Sequence, residues 1–469
     1  MVKEYAEAAT NAHQTSEKGR ERYGTFIAWF ETALIVLGLL GILLLLPHNT
    51  GGDGWVRFTA LSAMLTQGQI PDIKYSMVGP FFSIPFWYLG KIYQTPFWWI
   101  SRYNVFVFGA GLLATYWLLK DRIARSLLRK FFLLLVVASM FSYHLLFYYG
   151  EVFTAIFVAV GCIAIVVGPE LGGWCAIILG VVNTPATLLG LILLDANHIL
   201  ETRRLRFVLV VLITIALIML ESWIRRGNPF GIGYSDDYGV RTIMPYSGRP
   251  GFSNPFFFGL ISLLFSFGKG IFFFAPGLLL PIRKTLRKVQ EATNVDLFAI
   301  YTLWMSFLVG LLLVYSSWWA WHGGWFWGPR FLLIASVPAS FALAVRLQWR
   351  DTSLLVNIVT LLALCLSVWV GINGAVYGDQ ALWHTCLDNN AYLETPLCYY
   401  TPEFSVLWHP FVVYQPLNHK QLLYLPLYSP VILWYTFSEA ILLCLCYSQS
   451  ARSREARTCR AEDLQFIMA

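Results

Sequence analysis

Charged side chains are scarce here: they make up 13% of 469 residues, against roughly 25% in an ordinary soluble domain. So few charges on so long a chain exclude a water-solvated surface of normal extent. The net charge of +7 does not indicate nucleic-acid binding, because the polar first 24 residues are mixed in sign and hold no basic patch interleaved with aromatics. No Walker-type phosphate loop, dinucleotide-binding glycine fingerprint or zinc-ligand spacing occurs, so an inward-facing nucleotide-driven engine has no support. Nor is there an Asn-x-Ser/Thr sequon with a non-proline middle residue, and nothing points to a glycosylating lumen. Tandem repeats and low-complexity tracts are also missing.

What is present is apolar. Hydrophobic residues account for 57% of the chain and the mean hydropathy is +0.60. Several runs reach the roughly 20 residues needed to cross a ~30 Å hydrocarbon core. The expected fold class is therefore an all-α polytopic membrane protein. The run from Thr25 to Leu46 is followed by no small-residue cleavage site, so it reads as a retained signal-anchor helix. Spans are expected near 26–46, 98–119, 131–148, 152–168, 173–183, 185–198, 207–222, 271–282, 296–316, 331–346, 353–376 and 427–447. The fifth and sixth are too short to cross as straight helices, and Asn183-Thr184-Pro185 between them suggests a broken hairpin buried by protein.

Orientation follows from the basic residues. With the N-terminus inside, the inner segments carry 22 of the 33 Lys and Arg, with dense clusters at 120–130 and 283–288. This predicts about twelve crossings and both termini in the cytoplasm. The apolar segment 77–93 would reverse the bias if it crossed, so it is read as a membrane-dipping part of the first outer loop. The organisation expected is a cytoplasmic tail (1–25), a transmembrane module (26–347) with outer loops 47–97, 223–270 and 317–330, a C-terminal transmembrane hairpin (348–447) with outer loop 377–426, and a cytoplasmic tail (448–469). Inner loops are short and outer loops long, so function is expected outside. Of the eight cysteines only Cys386 and Cys398 fall outside, in one loop, and an oxidising compartment permits a disulfide between them.

Few residues can carry chemistry. Asp53, directly after the first span in PHNTGGDGWVRFTALSAMLTQG (47–68), precedes a Trp55, Phe58, Leu61, Leu65 stripe of helical spacing suited to a membrane interface. It is either a helix cap or a general base placed where lipid meets water. Arg57, one turn on, could pair with it or hold a lipid phosphate. Glu151, between two apolar spans, is costly there unless it faces water or a partner such as an arginine or His144. SSWWAWHGGWFWGPR (316–330) offers Trp321, His322 and Trp325 as sugar- or acceptor-binding groups and Arg330 as a phosphate ligand. Lys269, in the GKG of 268–270, and Lys74 are either phosphate ligands or interfacial anchors whose stems snorkel. Asp236 and Asp237 could ligate a divalent cation, but adjacent loop aspartates more often form solvated turns. No metal site is assigned.

Together these features resemble the GT-C superfamily, the multi-spanning glycosyltransferases that use polyprenyl-phosphate sugars. The similarity runs to about residue 347 and includes Asp53, Glu151, NTPATLLGLILL (183–194), NPFGIGY (228–234) and FGKGIFFFAPGLLL (267–280). It also includes the pattern of Gly323, Gly324, Gly328, Pro329, Arg330 and Leu332. The last two elements are similar to bacterial relatives of protein mannosyltransferases and aminoarabinose transferases. The resemblance implies a bundle of about twelve helices in a bacterial inner membrane and an inverting sugar transfer at its outer face. Asp53 would be the base, Glu151 would orient the acceptor or a sugar hydroxyl, and Arg57, Lys74, Lys269 and Arg330 would hold the donor phosphate. Partners would be the lipid-linked donor, a lipid, glycan or protein acceptor, and membrane lipids, with no nucleic acid. The alternatives are a catalytically silent subunit of a membrane complex and a lipid-linked sugar transporter or flippase.

Overall fold

The computed structural model describes residues 25–231, 233–234, 241, 245–292, 295–324, 327–348, 353–383, 386 and 397–433. Among these residues the chain is helical and has no strand, with one isolated bridge between Asn49 and Phe147. It runs from α1 (Thr25–Leu44) through α2 (Asp53–Gln67) to the short α3 (Val78–Phe82), α4 (Ile84–Ile92) and α5 (Pro96–Ser101). Then follow α6 (Tyr103–Leu119), α7 (Arg125–Val137), the single turn α8 (Phe141–His144), α9 (Gly150–Val167) and α10 (Glu170–Asn183). The second half holds α11 (Leu188–Thr202), α12 (Val208–Arg226), α13 (Phe256–Phe265), α14 (Ile271–Phe274) and α15 (Arg283–Ala292). It continues with α16 (Leu297–Ser317), α17 (Ser336–Gln348) and α18 (Leu354–Ile372).

Six helical stretches are long and apolar enough to cross a membrane: Thr25–Leu44, Gly150–Val167, Leu205–Arg226, Leu297–Ser317, Arg330–Gln348 and Leu354–Tyr377. Three shorter ones, α6, α10 and α13, are apolar too. The chain is thus a membrane protein by composition and helix length, but six is fewer than the twelve spans expected. The reason lies in the breaks. The 131–148 stretch stops being helical at Ala138 and resumes only as α8. In 271–282, Pro276 ends α14 after one turn and a 3-10 turn (Pro276–Leu279) takes over. Only the first seven residues of 427–447 lie within the described residues.

Two other expectations are corrected. The chain does break at Asn183-Thr184-Pro185, but α10 lies along α9 while α11 lies along α16, so they are not a hairpin packed on itself. The expected outer loop 223–270 contains the apolar helix α13, which leaves Phe257, Phe258, Ile261 and Phe265 exposed and packs on α16.

α9 and α17 form the centre, buried over 78% and 89% of their apolar windows, whereas α12 is buried over only 22%. Lipid tails are as apolar as leucine, so apolar burial alone does little to join helices inside a bilayer; close approach at small residues does. A Cβ on Gly161 would stand 2.7 Å from the carbonyl of Gly173, and one on Gly310 2.5 Å from the Cα of Gly190. Gly371 of α18 abuts the Val137 carbonyl so closely that a methyl group there collides with it. Gly371→Ala should therefore cost about 1–3 kcal/mol. Gly109→Ala, in α6 with open space around it, should be neutral or gain up to ~1 kcal/mol from helix entropy. Thermal melts of the two variants in one detergent check the contrast, and equal shifts would contradict it.

Candidate functional site

Contacts from three asparagines bring the candidate residues together. Asn49 N–H donates to Leu146 O (2.9 Å), tying the segment after α1 to the α8–α9 connection. Asn104 donates from Nδ2 to Phe147 O (2.7 Å) and Tyr149 O (2.9 Å), which shapes that connection from α6. Asn183 donates to Gly150 O (2.9 Å) and accepts from Gly79 N–H (2.9 Å), fixing the start of α9 against α3. Gly54, in the first turn of α2, sits against the Tyr148 carbonyl. Asp53 and Glu151 therefore both stand in first turns of helices whose N-terminal ends meet, where the helix dipole favours negative charge.

Arg330 lies between them. Its Nη1 is 2.7 Å from Asp53 Oδ2 and its Nε is 3.6 Å from Glu151 Oε1, with the arginine only 7% exposed. Tyr75 donates its hydroxyl to the other Asp53 oxygen at 2.5 Å. Arg57 lies beneath on the buried face of α2; it donates to Ser76 O (3.1 Å) and stacks over the Tyr75 ring at 4.8 Å. Burial pushes the Asp53 carboxyl upward, but the Arg330 charge, the Tyr75 hydroxyl and Arg57 outweigh it and hold the group below its ordinary value. Burial, reinforced by the Asp53 charge, raises Tyr75. No hydrogen bond caps α2 from a side chain, and its N-cap is Gly52, so Asp53 is not the cap that the sequence allowed.

The segment preceding Arg330 depends on glycine. Gly323, Gly324 and Gly328 have φ of 72°, 81° and 64°, a region closed to most other residues. Lys269 anchors this segment, donating from Nζ to Gly324 O (3.1 Å) and Gly328 O (3.0 Å). It is fully enclosed, and burial, aided by the Arg330 charge, pulls it down to about 7. His322 Nδ1 accepts from Gly324 N–H (2.9 Å), so the Tyr399 hydroxyl, also at 2.9 Å, donates to it. Burial and then the Lys269 charge pull His322 down to about 3. Tyr399 stacks on the imidazole at 4.4 Å, and its carbonyl accepts from Gly268 N–H (2.9 Å). Next to it Cys398 forms a disulfide with Cys386.

Asp53, Glu151, Arg330 and Arg57 thus share one end of the bundle. Lys74 is nearby, over the rings of Tyr75 and Tyr234 at 5.5 and 5.6 Å. Other expectations change. Lys269 is not an exposed surface anchor: it is buried and holds loop carbonyls. Trp321 is 7% exposed and packed against Tyr399 and Tyr400, so it offers no open face to a sugar ring. Trp325, Asp236 and Asp237 lie outside the described residues. On α2 the buried stripe is Gly54, Arg57, Ala60 and Leu61, and Trp55 points outward at 52% exposure. His144, offered by the sequence as a partner for Glu151, is buried with both ring nitrogens lacking a hydrogen-bond partner among the described residues.

Two groups escaped sequence reasoning. Tyr75 had no signal beyond standing next to Lys74. Asp379, buried and accepting from the Tyr143 hydroxyl at 2.9 Å, had one: it follows an apolar span, the same logic that singled out Glu151. Burial pushes Asp379 up. A cavity of about 20 Å³ lies beside Glu151, lined also by Thr154, Thr184, Thr187 and Tyr315, enough room for one water. Among the described residues no group of three His, Cys, Asp or Glu side chains is placed to share a metal ion. Comparison with protein-family models, curated proteins and solved structures finds no match.

Two outcomes follow from this geometry. Denatured protein should release two further thiols on reduction, counted with a thiol reagent, and variants lacking Cys386 or Cys398 should not. Lys269 sits below its unfolded value, so the folded state binds fewer protons between about pH 7 and pH 10. Stability should rise with pH across that window, and Lys269→Met should flatten the rise in a pH series of thermal melts.

Proposed function

We propose that this chain is a GT-C-type glycosyltransferase of about twelve crossings. It moves a sugar from a polyprenyl-phosphate donor to an acceptor hydroxyl at the extracytoplasmic face of a bacterial inner membrane, with inversion. The observation that carries this reading is the shared ion cluster: two carboxylates on one buried arginine, 2.7 and 3.6 Å away, at one end of an apolar bundle.

In this reaction the acceptor oxygen forms a bond to the anomeric carbon as the bond from that carbon to the phosphate oxygen breaks. The acceptor proton passes to Asp53, and the electron pair leaves with polyprenyl phosphate. Charge grows on the leaving phosphate, so a cation placed there stabilises the transition state more than the ground state. Arg330, with its planar fork, suits that task, and Arg57 adds positive potential. A phosphate that engages Arg330 competes with Asp53 for the same guanidinium, which releases the carboxylate to act as base. A carboxylate with depressed affinity for protons stays ionised at neutral pH, and glycosyl transfer through an oxocarbenium-like transition state needs only a weak base. Glu151 orients the acceptor or a sugar hydroxyl. His322 stays a candidate only in a rearranged loop, because Tyr399 now covers it.

A catalytically silent subunit of a membrane complex is the second reading. One observation favours it: Asp53 is saturated by Arg330 and Tyr75, as a purely structural ion cluster would be. Turnover of a panel of polyprenyl-phosphate sugars by purified protein separates the two. Asp53→Asn should lower donor consumption by about 10²–10⁴-fold, and full turnover in that variant would remove Asp53 as the base. Arg330→Lys, which keeps the charge but not the fork, should slow turnover while the protein still folds. If no donor is consumed and a second protein co-purifies in fixed ratio, the silent-subunit reading stands instead. Because Asp53 is held ionised, activity should persist as pH falls from 7 to 5. A loss centred near pH 6 would place the base elsewhere.

A further inference from the structure

The basic segments 120–130 and 283–288 are far apart in sequence but meet in the fold, at the end of the bundle opposite Arg330. α6 and α9 run away from the Asp53 end, and α7 starts, α16 starts and α17 finishes at this other end. α15 lies across it, with Ile282, Leu286 and Val289 buried and Arg283, Lys284, Arg287 and Lys288 all exposed. Arg346 near the end of α17 donates to Thr285 Oγ1 (3.4 Å), and Lys130 of α7 donates to Gln348 (2.9 Å), so the two basic segments are stitched into one face. Of the acidic groups near this face, Asp296 caps α16 by accepting from Ala299 N–H, and two others have basic neighbours. Glu31, fully buried in α1, lies 2.9 Å from Arg129 and 3.8 Å from Lys130, and Asp121 lies near Lys120 and Arg125. Among the described residues no carboxylate pairs with the four cations of α15.

We infer that this face binds the headgroups of anionic phospholipids in the leaflet it abuts, with α15 as its main contact. Three features select lipid. The four cations form an exposed row on a helix whose other side is sealed into the bundle, so they meet a flat anionic surface and not a pocketed ligand. Trp29 and Trp117, 72% and 62% exposed, stand at the same end of α1 and α6, where tryptophans mark a membrane–water interface. Between α1 and α7 a groove of about 720 Å³, lined by Trp29, Thr32, Arg125, Ser126 and Arg129, opens beside the exposed apolar residues Val36, Leu37 and Leu40 of α1. That arrangement offers hydroxyl and guanidinium donors to a headgroup and an apolar track to its chains. The inference is independent of any catalytic activity.

The experiment uses the full chain reconstituted in nanodiscs of phosphatidylcholine with increasing phosphatidylglycerol, with protein-associated lipid quantified by mass spectrometry. Native protein should enrich phosphatidylglycerol over phosphatidylcholine, and enrichment should fall steeply between 0.1 and 1 M salt as the screening length drops from about 10 to 3 Å. Each basic residue near an anionic surface contributes about fivefold in affinity. R283Q/K284Q/R287Q/K288Q should therefore lose about tenfold or more of the enrichment, and the half variants R283Q/K284Q and R287Q/K288Q should fall between. R249Q/K420Q, at the other end of the bundle, should leave it unchanged. Unchanged enrichment in the quadruple variant, an equal loss in R249Q/K420Q, or insensitivity to salt would each overturn the inference. Any of those results would make these cations orientation signals without lipid affinity. Should the quadruple variant not fold, the half variants and the salt series decide the matter alone.

Discussion

The Asp53 end of this molecule depends on one buried guanidinium. Arg330 is 7% exposed and contacts both Asp53 and Glu151. A buried cation without a counter-charge is strongly destabilising, and breaking such a pair costs about 3–5 kcal/mol. That requirement draws the start of α2 and the start of α9 onto the start of the 330–348 segment. The asparagine contacts from 49, 104 and 183 then hold the connecting backbone in place. Tyr75, from the segment after α2, and Arg57, from α2 itself, flank the Asp53 carboxylate, and Arg225 and Arg226 of α12 pin the Tyr75 segment through the carbonyls of Ile73 and Tyr75.

Around this cluster the helices are frequently broken, and the breaks are productive. An irregular backbone is tolerated at membrane depth only where protein covers it. The Pro276 turn lies under α17, and the 138–140 break under α18 and the Ser336 hydroxyl, which accepts from Met140 N–H (3.3 Å). Lys269 performs the same service for the glycine segment before Arg330 by satisfying two of its carbonyls. Glycines at helix crossings let backbones approach where side chains would hold them apart. The opposite end obeys a different rule: its cations are mostly solvent-facing, and the deeply buried Glu31 has two basic neighbours.

Much of the site was legible as residue types and little of it as contacts. Asp53, Glu151 and Arg330 could be singled out because a charge beside an apolar run is expensive and asks for a reason. Asp379 obeys the same logic and passed unnoticed, since its loop showed no other pattern. The surroundings of Lys269, Trp321 and His322 were not legible for one physical reason. Whether a polar or aromatic side chain next to a glycine pair faces water or core depends on what covers it, and the cover here is Tyr399, some 77 positions downstream in the chain. Where the apolar stretches break was hidden for a similar reason. Hydropathy measures how apolar a stretch is, and it does not register where Pro276 or a non-helical Ala138 interrupts the helix.

Composition and apolar run length by themselves determined that this is a helical membrane protein with scarce charge at its ends, because burial of so much apolar surface in water has no other outcome. Basic clusters and candidate acids were also visible, since both are local facts of the chain. Only the tertiary structure decided which charges meet. It joined Asp53 to Arg330 across 277 positions and gathered the 120–130 and 283–288 segments onto one face. Pairing of that kind is set by helix packing and by the need to neutralise buried charge, and neither leaves a trace in local sequence.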